Sequence, residues 1–170
     1  MSNPVIRHEA SGDANGIRLV NTRAFGRPDE AAIVDALRGA AGAVSLVSVL
    51  GDRLVGHILF TPVRIEGIET THPAVGLAPL AVLPDFQKQG IGSALIRAGL
   101  DSCRSLGYGV VVVLGHPEYY PRFGFVPAST AGLGCEFPVP SEAFMLLELQ
   151  PGALGEARGI VRYAPQFSAG

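Results

Sequence analysis

The stretch LAVLPDFQKQGIGSALI (80–96) joins an apolar run to an amphipathic pattern through a loop that contains two glycines. The apolar run stops at Pro84, and Gly90 and Gly92 stand at the start of a helix predicted over 91–106. The N-terminus of a helix has N–H groups without intrahelical partners and a partial positive charge, and glycine lets a ligand approach the backbone. The loop is therefore a candidate anion site, although a glycine turn that merely starts a helix has the same spacing.

Two common phosphate-binding loops do not fit this stretch. The dinucleotide fingerprint G-x-G-x-x-G requires Gly or Ala where Leu95 stands. The nucleotide P-loop, G-x-x-x-x-G-K-[ST], does not occur in the sequence.

Residues 74–115 predict a strand, the loop, a helix and a second strand. AVGLAPLAVL (74–83) is apolar at nearly every position, which is typical of a strand covered on both faces. Pro79 lies inside it and has no N–H for a ladder, which indicates a bulge or a place where neighbouring strands separate. GVVVVLG (109–115) predicts the second buried strand. Because a helix connects the two strands, we expect them to be parallel.

The remaining elements are predicted from periodicity and turn residues. We expect a helix that begins after Asp13, with Asp13 as its cap, and a surface tail beyond residue 150. The other predicted elements are a strand at 4–9, a helix at 29–40, a hairpin at 43–67 around Gly51 and Asp52, a single turn at 117–125 and a strand at 142–150.

Length and composition predict one domain over 1–170. Hydrophobic residues make up 48% and charged residues 16%, which favours a packed core. The net charge of −2 and the lack of a dense Lys/Arg run argue against a nucleic-acid partner. No apolar segment reaches the roughly 20 residues that cross a bilayer, and MSNPVIRHEA (1–10) lacks a signal-peptide pattern. Since Cys103 and Cys135 also form no metal-ligand spacing, we expect a cytoplasmic protein without a membrane partner or a metal.

Two motifs follow one another in the chain, Gln87-x-x-Gly90-x-Gly92 and YYPRFGF (119–125). Together they resemble motifs of the GCN5-related N-acetyltransferase (GNAT) superfamily. Gln87-x-x-Gly90-x-Gly92, entered from LAVLP, is similar to the acetyl-CoA signature Gln/Arg-x-x-Gly-x-Gly/Ala of that family. Downstream, YYPRFGF (119–125) resembles the family's FYxxxGF, with Tyr120 at the tyrosine position. The longer run VVVLGHPEYYPRFGF is closer still to the YhbS-like branch of the family.

The resemblance implies an α+β (mixed α/β) fold, in which a central, mostly antiparallel sheet contains a splayed parallel strand pair and carries helices on both faces. It also implies acetyl-CoA as the cofactor, with CoA as the product and no metal. The pantetheine arm would lie between the splayed strands, against the backbone of Leu80, Ala81 and Val82. The pyrophosphate would be held by the N–H groups of the loop, which are those of Gln87, Lys88, Gln89, Gly90, Ile91, Gly92 and Ser93.

The implied reaction is direct attack of a primary amine, on a small molecule or a peptide, on the thioester of acetyl-CoA. Tyr120 would support the departing thiolate, and its alternative role is packing. An ordinary phenol has a pKa of ~10 and a thiol of ~8.5, so complete proton transfer is not strongly driven and the expected contribution is a hydrogen bond to the sulfur. Many family members carry an acidic base on the strand before the loop, and HPAVGLAPLAVL (72–83) has none. His72, His116, Glu118 or water remain as candidates for the base.

The missing acidic residue motivates a second hypothesis, a non-catalytic acyl-CoA-binding or protein-interaction module. A third hypothesis is a domain whose glycine loop binds a different phosphate, such as a nucleotide. Dimers are common in the family, so a homodimer through the last strands is a further expectation.

Overall fold

The computed structural model describes residues 3–67, 73–155 and 158–168. Within these residues the α-helices are α1 (Ala14–Phe25), α2 (Asp29–Leu37) and α3 (Ile91–Ser105). The strands are β1 (Val5–His8), β2 (Val44–Leu50), β3 (Arg53–Gly67), β4 (Ala74–Val82), β5 (Val110–Leu114), β6 (Val126–Pro127), β7 (Leu133–Cys135), β8 (Phe144–Glu148) and β9 (Gly159–Arg162).

The strands follow the order β1-β2-β3-β4-β5-β8-β6, and β9 pairs with β3 while β7 pairs with β9. Most of the described pairs are antiparallel, whereas β4 with β5 and β7 with β9 are parallel. The mixed, mostly antiparallel sheet and its parallel β4–β5 pair confirm the predicted fold class.

The chain divides into two compact units, which are described separately. The first unit comprises the described parts of 1–60, 79–102 and 166–170, and the second comprises those of 61–78 and 103–165. The single domain expected over 1–170 therefore stays a prediction.

In the first unit, two neighbouring residues of β3 show that helices cover both faces of the sheet. Gly56 faces α3, where an added Cβ would lie 2.9 Å from Cδ1 of Leu95 and 3.0 Å from Cγ2 of Ile91. His57 faces the opposite side and contacts Asn21 of α1. Because successive strand residues point to opposite faces, α1 and α3 lie on opposite sides of the sheet, as predicted.

In the second unit, β4 and β5 pair in parallel from Ala74 with Val110 to Leu77 with Val113. All four valines of β5 are buried, which confirms a strand that is covered on both faces. The strand pattern in GVVVVLG was therefore sufficient to predict this element.

Two local predictions are wrong. Asp13 is the residue before α1, but its carboxylate makes no cap; it accepts hydrogen bonds from Arg7 at 2.7 Å and from the N–H of Ala10 at 2.7 Å. The guanidinium of Arg7 bonds to both carboxylate oxygens of Asp13, and this bidentate pair is stronger than a single bond to a helix N–H group. The predicted surface tail contains β9, which pairs with β3 from Arg64 to Gly67.

Among the described residues, no helix is both long and apolar enough to cross a membrane.

Candidate active site

The glycine loop is tied to the sheet of the first unit by three hydrogen bonds. The N–H of Leu83 donates to the carbonyl of Val55 on β3 at 2.9 Å, just where β4 ends. A turn follows, in which the N–H of Phe86 donates to the carbonyl of Leu83 at 2.8 Å. The side-chain amide of Gln87 then reaches back to the carbonyl of Val82 at 3.0 Å. The side chain of Gln87 therefore ties the loop to the end of β4.

Positive φ angles turn the loop outward before α3 begins. Gly90 has a φ of 87°, and Lys88 has a φ of 64°, which is an uncommon value for a residue with a side chain. Residues 87–90 are exposed, and the N–H groups of Lys88, Gln89 and Gly90 make no backbone hydrogen bond to another described residue. The loop thus presents unpaired donors to solvent at the positive end of a helix dipole, as an anion site requires.

The first turn of α3 contains one buried side chain followed by two partly exposed residues. The side chain of Ile91 is buried against β3, so this residue fixes the helix and can offer a ligand only its backbone. Gly92 and Ser93 are partly exposed. Within the predicted pyrophosphate segment from Gln87 to Ser93, the side chains of Gln87 and Ile91 therefore anchor the backbone, and the exposed positions leave the backbone accessible to a ligand.

The second half of β4 opens on one face. Leu80 and Val82 are partly exposed, whereas Pro79 and Ala81 are buried. The parallel pairing with β5 covers Ala74–Leu77, which ends two residues before Pro79. A strand with one accessible face is compatible with the predicted contact of Leu80, Ala81 and Val82 with pantetheine, and the splay at Pro79 stays a prediction.

Tyr120 lies in the second unit, at the start of the turn Tyr120–Phe123. Its ring is buried, with edge-on contacts to the rings of Tyr119 at 5.2 Å and Phe125 at 5.7 Å between centroids. Burial, with a smaller effect of Tyr119, raises the pKa of Tyr120 to about 12. Its phenolic oxygen makes no hydrogen bond to any other residue within the described chain. Packing therefore fixes the ring of Tyr120, and its phenol stays protonated near neutral pH and can donate a hydrogen bond.

The candidate bases are not distinguished by geometry. His116 and Glu118 are exposed, and the carbonyl of His116 accepts the N–H of Tyr119 at 3.0 Å, so the backbone of His116 shapes the turn before Tyr120. His72 lies outside the described residues. Cys103 is buried, which raises the pKa of its thiol to about 12 and agrees with a structural rather than a nucleophilic role.

Sequence reasoning missed a buried polar chain that crosses the first unit. The amide Nδ2 of Asn21 donates to the carbonyl of Ile17, and its second hydrogen points to Nδ1 of His57 at 3.2 Å. His57 then donates from Nε2 to Oγ of Ser45 at 2.9 Å, and Ser45 donates to Glu9 at 2.6 Å. Desolvation lowers the pKa of His57 to about 4, so His57 is neutral near pH 7. The alternation in β3 reveals which face His57 occupies, but its two partners come from α1 and β2.

The fold and both motifs place the chain among acetyltransferases: it belongs to the GNAT acetyltransferase family, whose family model matches residues 16–125. It is 45% identical over 135 residues to the uncharacterized N-acetyltransferase YjhQ of Escherichia coli K12, covering 76% of this chain and 74% of YjhQ. It is 37% identical over 167 residues to the uncharacterized N-acetyltransferase YhbS of the same strain, covering 96% of this chain and 98% of YhbS. The predicted resemblance to the family and to its YhbS-like branch is confirmed.

Two crystal structures resemble the whole chain. YhbS from Escherichia coli in complex with CoA has a TM-score of 0.92 at 35% identity, covering 99% of this chain and 93% of that one. A GNAT family acetyltransferase from Brucella melitensis in complex with acetyl-CoA has a TM-score of 0.78 at 38% identity, covering 98% of this chain and 99% of that one.

No group of three or more His, Cys, Asp or Glu side chains within the described ranges is placed to hold a metal ion. A reaction without a metal stays a prediction.

Proposed function

We propose that this chain transfers the acetyl group of acetyl-CoA to a primary amine by direct attack. Tyr120 carries this proposal, because it occupies the tyrosine position of the family motif as a buried, protonated phenol. A phenol held in this way is the kind of donor that supports a departing thiolate. The acetyltransferase class follows from family membership, and the complexes of two relatives with CoA and acetyl-CoA support the choice of cofactor.

The cofactor would be bound by the segment from Leu80 to Ser93. The exposed N–H groups of Lys88, Gln89 and Gly90, together with those that open α3, fit the pyrophosphate. The ammonium group of Lys88 adds a positive charge. The accessible face of β4 at Leu80 and Val82 supports the backbone contacts with pantetheine.

In the chemical step, the neutral amine nitrogen bonds to the thioester carbon, and the carbon–sulfur bond breaks with its electron pair on sulfur. The proton of the attacking nitrogen goes to a base, for which His72, His116, Glu118 and water remain the candidates. The pKa of Tyr120 is about 12, well above the ~8.5 of a thiol, so full transfer of the phenolic proton is uphill. Tyr120 would therefore donate a hydrogen bond to the sulfur, and solvent would supply the final proton of CoA.

Further features belong to the same proposal. The acceptor is a small-molecule amine or a peptide amine, the domain spans 1–170, and the protein works in the cytoplasm without a metal, a nucleic acid or a membrane. A homodimer is proposed by analogy with the family. The candidate of another class is a non-catalytic acyl-CoA-binding module, which the lack of an acidic base before the loop favours.

Thermal unfolding with ligands tests the cofactor first. Acetyl-CoA at 100 times its Kd is expected to stabilise the protein by about 2.7 kcal/mol, whereas ATP is expected to leave the melting curve unmoved. An unmoved curve with acetyl-CoA and CoA would contradict the proposal, and stabilisation by ATP alone would favour a nucleotide site. Thiol release in a panel of amines and peptides then tests the reaction. Stabilisation without acyl transfer to any amine would indicate the non-catalytic module.

A further inference from the structure

The chain contains a single lysine. Lys88 is the only one among its 170 residues, and the other twelve side chains with a permanent positive charge are arginines. A lysine amine can lose its proton and attack an activated acyl group, whereas the guanidinium of arginine stays protonated. Among the side chains of this protein, Lys88 is therefore the one amine that an acyl donor can convert into an amide.

The backbone of Lys88 has an uncommon conformation. Its φ of 64° makes Lys88 the one residue with a Cβ in the left-handed region among the residues that the structure describes. This conformation is unfavourable for a residue with a side chain, whereas glycine adopts it readily, as Gly90 does two residues later. An unfavourable backbone conformation in a functional loop points to a use for the side chain that it carries.

The ammonium group of Lys88 has no partner in the described parts of the chain. The residue is exposed, and its side chain makes no hydrogen bond or ion pair within the ranges 3–67, 73–155 and 158–168. The two neighbouring amides are both bonded within the loop region, Gln87 to the carbonyl of Val82 and Gln89 to the carbonyl of Asp85. The amine of Lys88 is thus available to a ligand that binds to the open N–H groups of the loop.

An amine beside an anion-binding loop matches one class of acyl donor. In an acyl phosphate, the reactive carbonyl carbon is bonded to an oxygen of the phosphate group. A phosphate held by the N–H groups before α3 would therefore bring this carbon within reach of the flexible four-carbon stem of Lys88. In acetyl-CoA, by contrast, the pantetheine arm separates the thioester from the pyrophosphate. The loop accordingly favours acyl phosphates over thioesters as donors to Lys88.

We propose that Lys88 is a modification site that acyl phosphates acylate while the loop is free of cofactor. The inference rests on the proposed function, in which the loop holds the pyrophosphate of acetyl-CoA. The neutral Nζ bonds to the carbonyl carbon, and the bond from this carbon to the phosphate oxygen breaks with its electron pair on the oxygen. Inorganic phosphate leaves, and the displaced proton of the nitrogen goes to solvent. The product is an uncharged amide.

Acylation and cofactor binding would oppose each other. A bound cofactor would cover the N–H groups of the loop and so protect Lys88 from acyl phosphates. An acylated Lys88 would offer the pyrophosphate one positive charge less. The supply of acyl phosphates would in this way control how much of the protein can bind acetyl-CoA.

Peptide mass spectrometry of protein treated with acetyl phosphate tests the site. Arg23→Lys provides the matched control, because it introduces a second amine at an exposed position of α1 where Arg23 makes no hydrogen bond or ion pair to another described residue. In this variant we expect Lys88 to be acetylated at least about tenfold faster than the introduced amine, since phosphate binding raises the local concentration of the donor. Inorganic phosphate and CoA should each slow the reaction at Lys88 and leave the rate at position 23 unchanged.

Acetyl-CoA as the donor gives a second measurement with the opposite expected sign. It should leave Lys88 unmodified and protect it from acetyl phosphate. Calorimetric titration then measures the consequence for the cofactor. We expect treatment of the wild type with acetyl phosphate to weaken CoA about two- to fivefold, as the loss of one exposed charge predicts. The same treatment of Lys88→Arg should leave the affinity of that variant for CoA at its own starting value.

The outcomes separate the two proposals. If CoA stabilises the protein but the two amines react at equal rates, this inference is wrong and the proposed function stands. Modification of Lys88 by acetyl-CoA as fast as by acetyl phosphate would overturn the assignment of the donor, and an unchanged affinity of the acylated protein for CoA would overturn the control of binding. If CoA neither stabilises the protein nor slows the reaction at Lys88, the loop does not hold the cofactor and both proposals fail.

Discussion

The ring of Tyr120 lies directly against Gly115, so that a Cβ at Gly115 would overlap the Cε2 and Cδ2 atoms of the ring. Gly115 follows the last residue of β5, and its N–H donates to the carbonyl of Ala143 at 2.9 Å. The lack of a side chain at Gly115 therefore fixes the phenol relative to the end of a buried strand. Gly115 thus leaves the space that the ring of Tyr120 occupies, and this contact positions the phenol.

Replacement of Gly115 by alanine is expected to displace the ring of Tyr120. Overpacking typically costs about 1–3 kcal/mol, and a shift of about 1 Å at a reacting group can lower turnover about 10²-fold. Urea unfolding and the kcat of acetyl transfer measure the two effects. Gly134→Ala is the control, because its Cβ would meet only the flexible Cδ1 of Ile160 at 3.1 Å. A fully active and stable Gly115→Ala protein would refute the positioning role.

Removal of the Tyr120 hydroxyl is expected to affect chemistry more than binding. We expect Tyr120→Phe to lower kcat about 10²-fold or more, with the Kd of acetyl-CoA unchanged within about twofold. The ring, and with it the packing on Gly115, is kept in this variant. Tyr119→Phe serves as the matched control and is expected to remain active. Equal losses of kcat and affinity in Tyr120→Phe would instead assign Tyr120 a packing role.

Replacement of Gly90 by alanine is expected to act through the backbone. The φ of 87° at Gly90 is unfavourable for a residue with a Cβ by roughly 1–2 kcal/mol, and no atom lies within 4 Å of the added methyl group. Gly107, at the other end of α3, has a φ of 92° and equally open surroundings. Both alanine variants should therefore lose similar stability in thermal or urea unfolding, but only Gly90→Ala should bind CoA more weakly. Parallel affinities in the two variants would count against the loop as a phosphate site.

The stability of the protein is expected to fall below neutral pH because of His57. Its pKa is about 4 when folded and near 6.5 when exposed, so between these values the unfolded chain binds a proton that the native protein does not. The free energy of unfolding therefore decreases as the pH falls through this window, by about 3 kcal/mol from His57 alone. Nearby Glu9 opposes this shift and Arg38 adds to it, although desolvation dominates.

His57→Gln keeps a side chain that can hydrogen-bond to Asn21 and Ser45 and removes the titration. Its unfolding free energy, measured in urea between about pH 7 and about pH 4, should depend less on pH than that of the wild type. The carboxylates with lowered pKa, such as Asp13 and Asp35, act in the same direction in both proteins and cancel in the comparison. Identical pH dependence in the two proteins would show that His57 does not control it.

Periodicity predicted most of the elements that hold the candidate site. The strand at 74–83, the helix from residue 91 and the strand at 109–115 were found within a few residues of β4, α3 and β5, because burial on two faces or one face leaves a local pattern. The prediction that Asp13 caps α1 was wrong because the orientation of its side chain leaves no local pattern. Whether its carboxylate turns to the helix or to Arg7 depends on a side chain from β1, and no spacing within the helix contains that information.

The sequence alone determined the family, through Gln87-x-x-Gly90-x-Gly92 and YYPRFGF, because these motifs reflect backbone conformations that few residues allow. Tertiary structure decided which side chains meet across elements. Only the folded chain shows that Gly115 makes room for Tyr120 and that Asn21, His57, Ser45 and Glu9 form one chain. Such contacts join residues that are distant in sequence, and their energies depend on burial and orientation, which a local pattern does not specify.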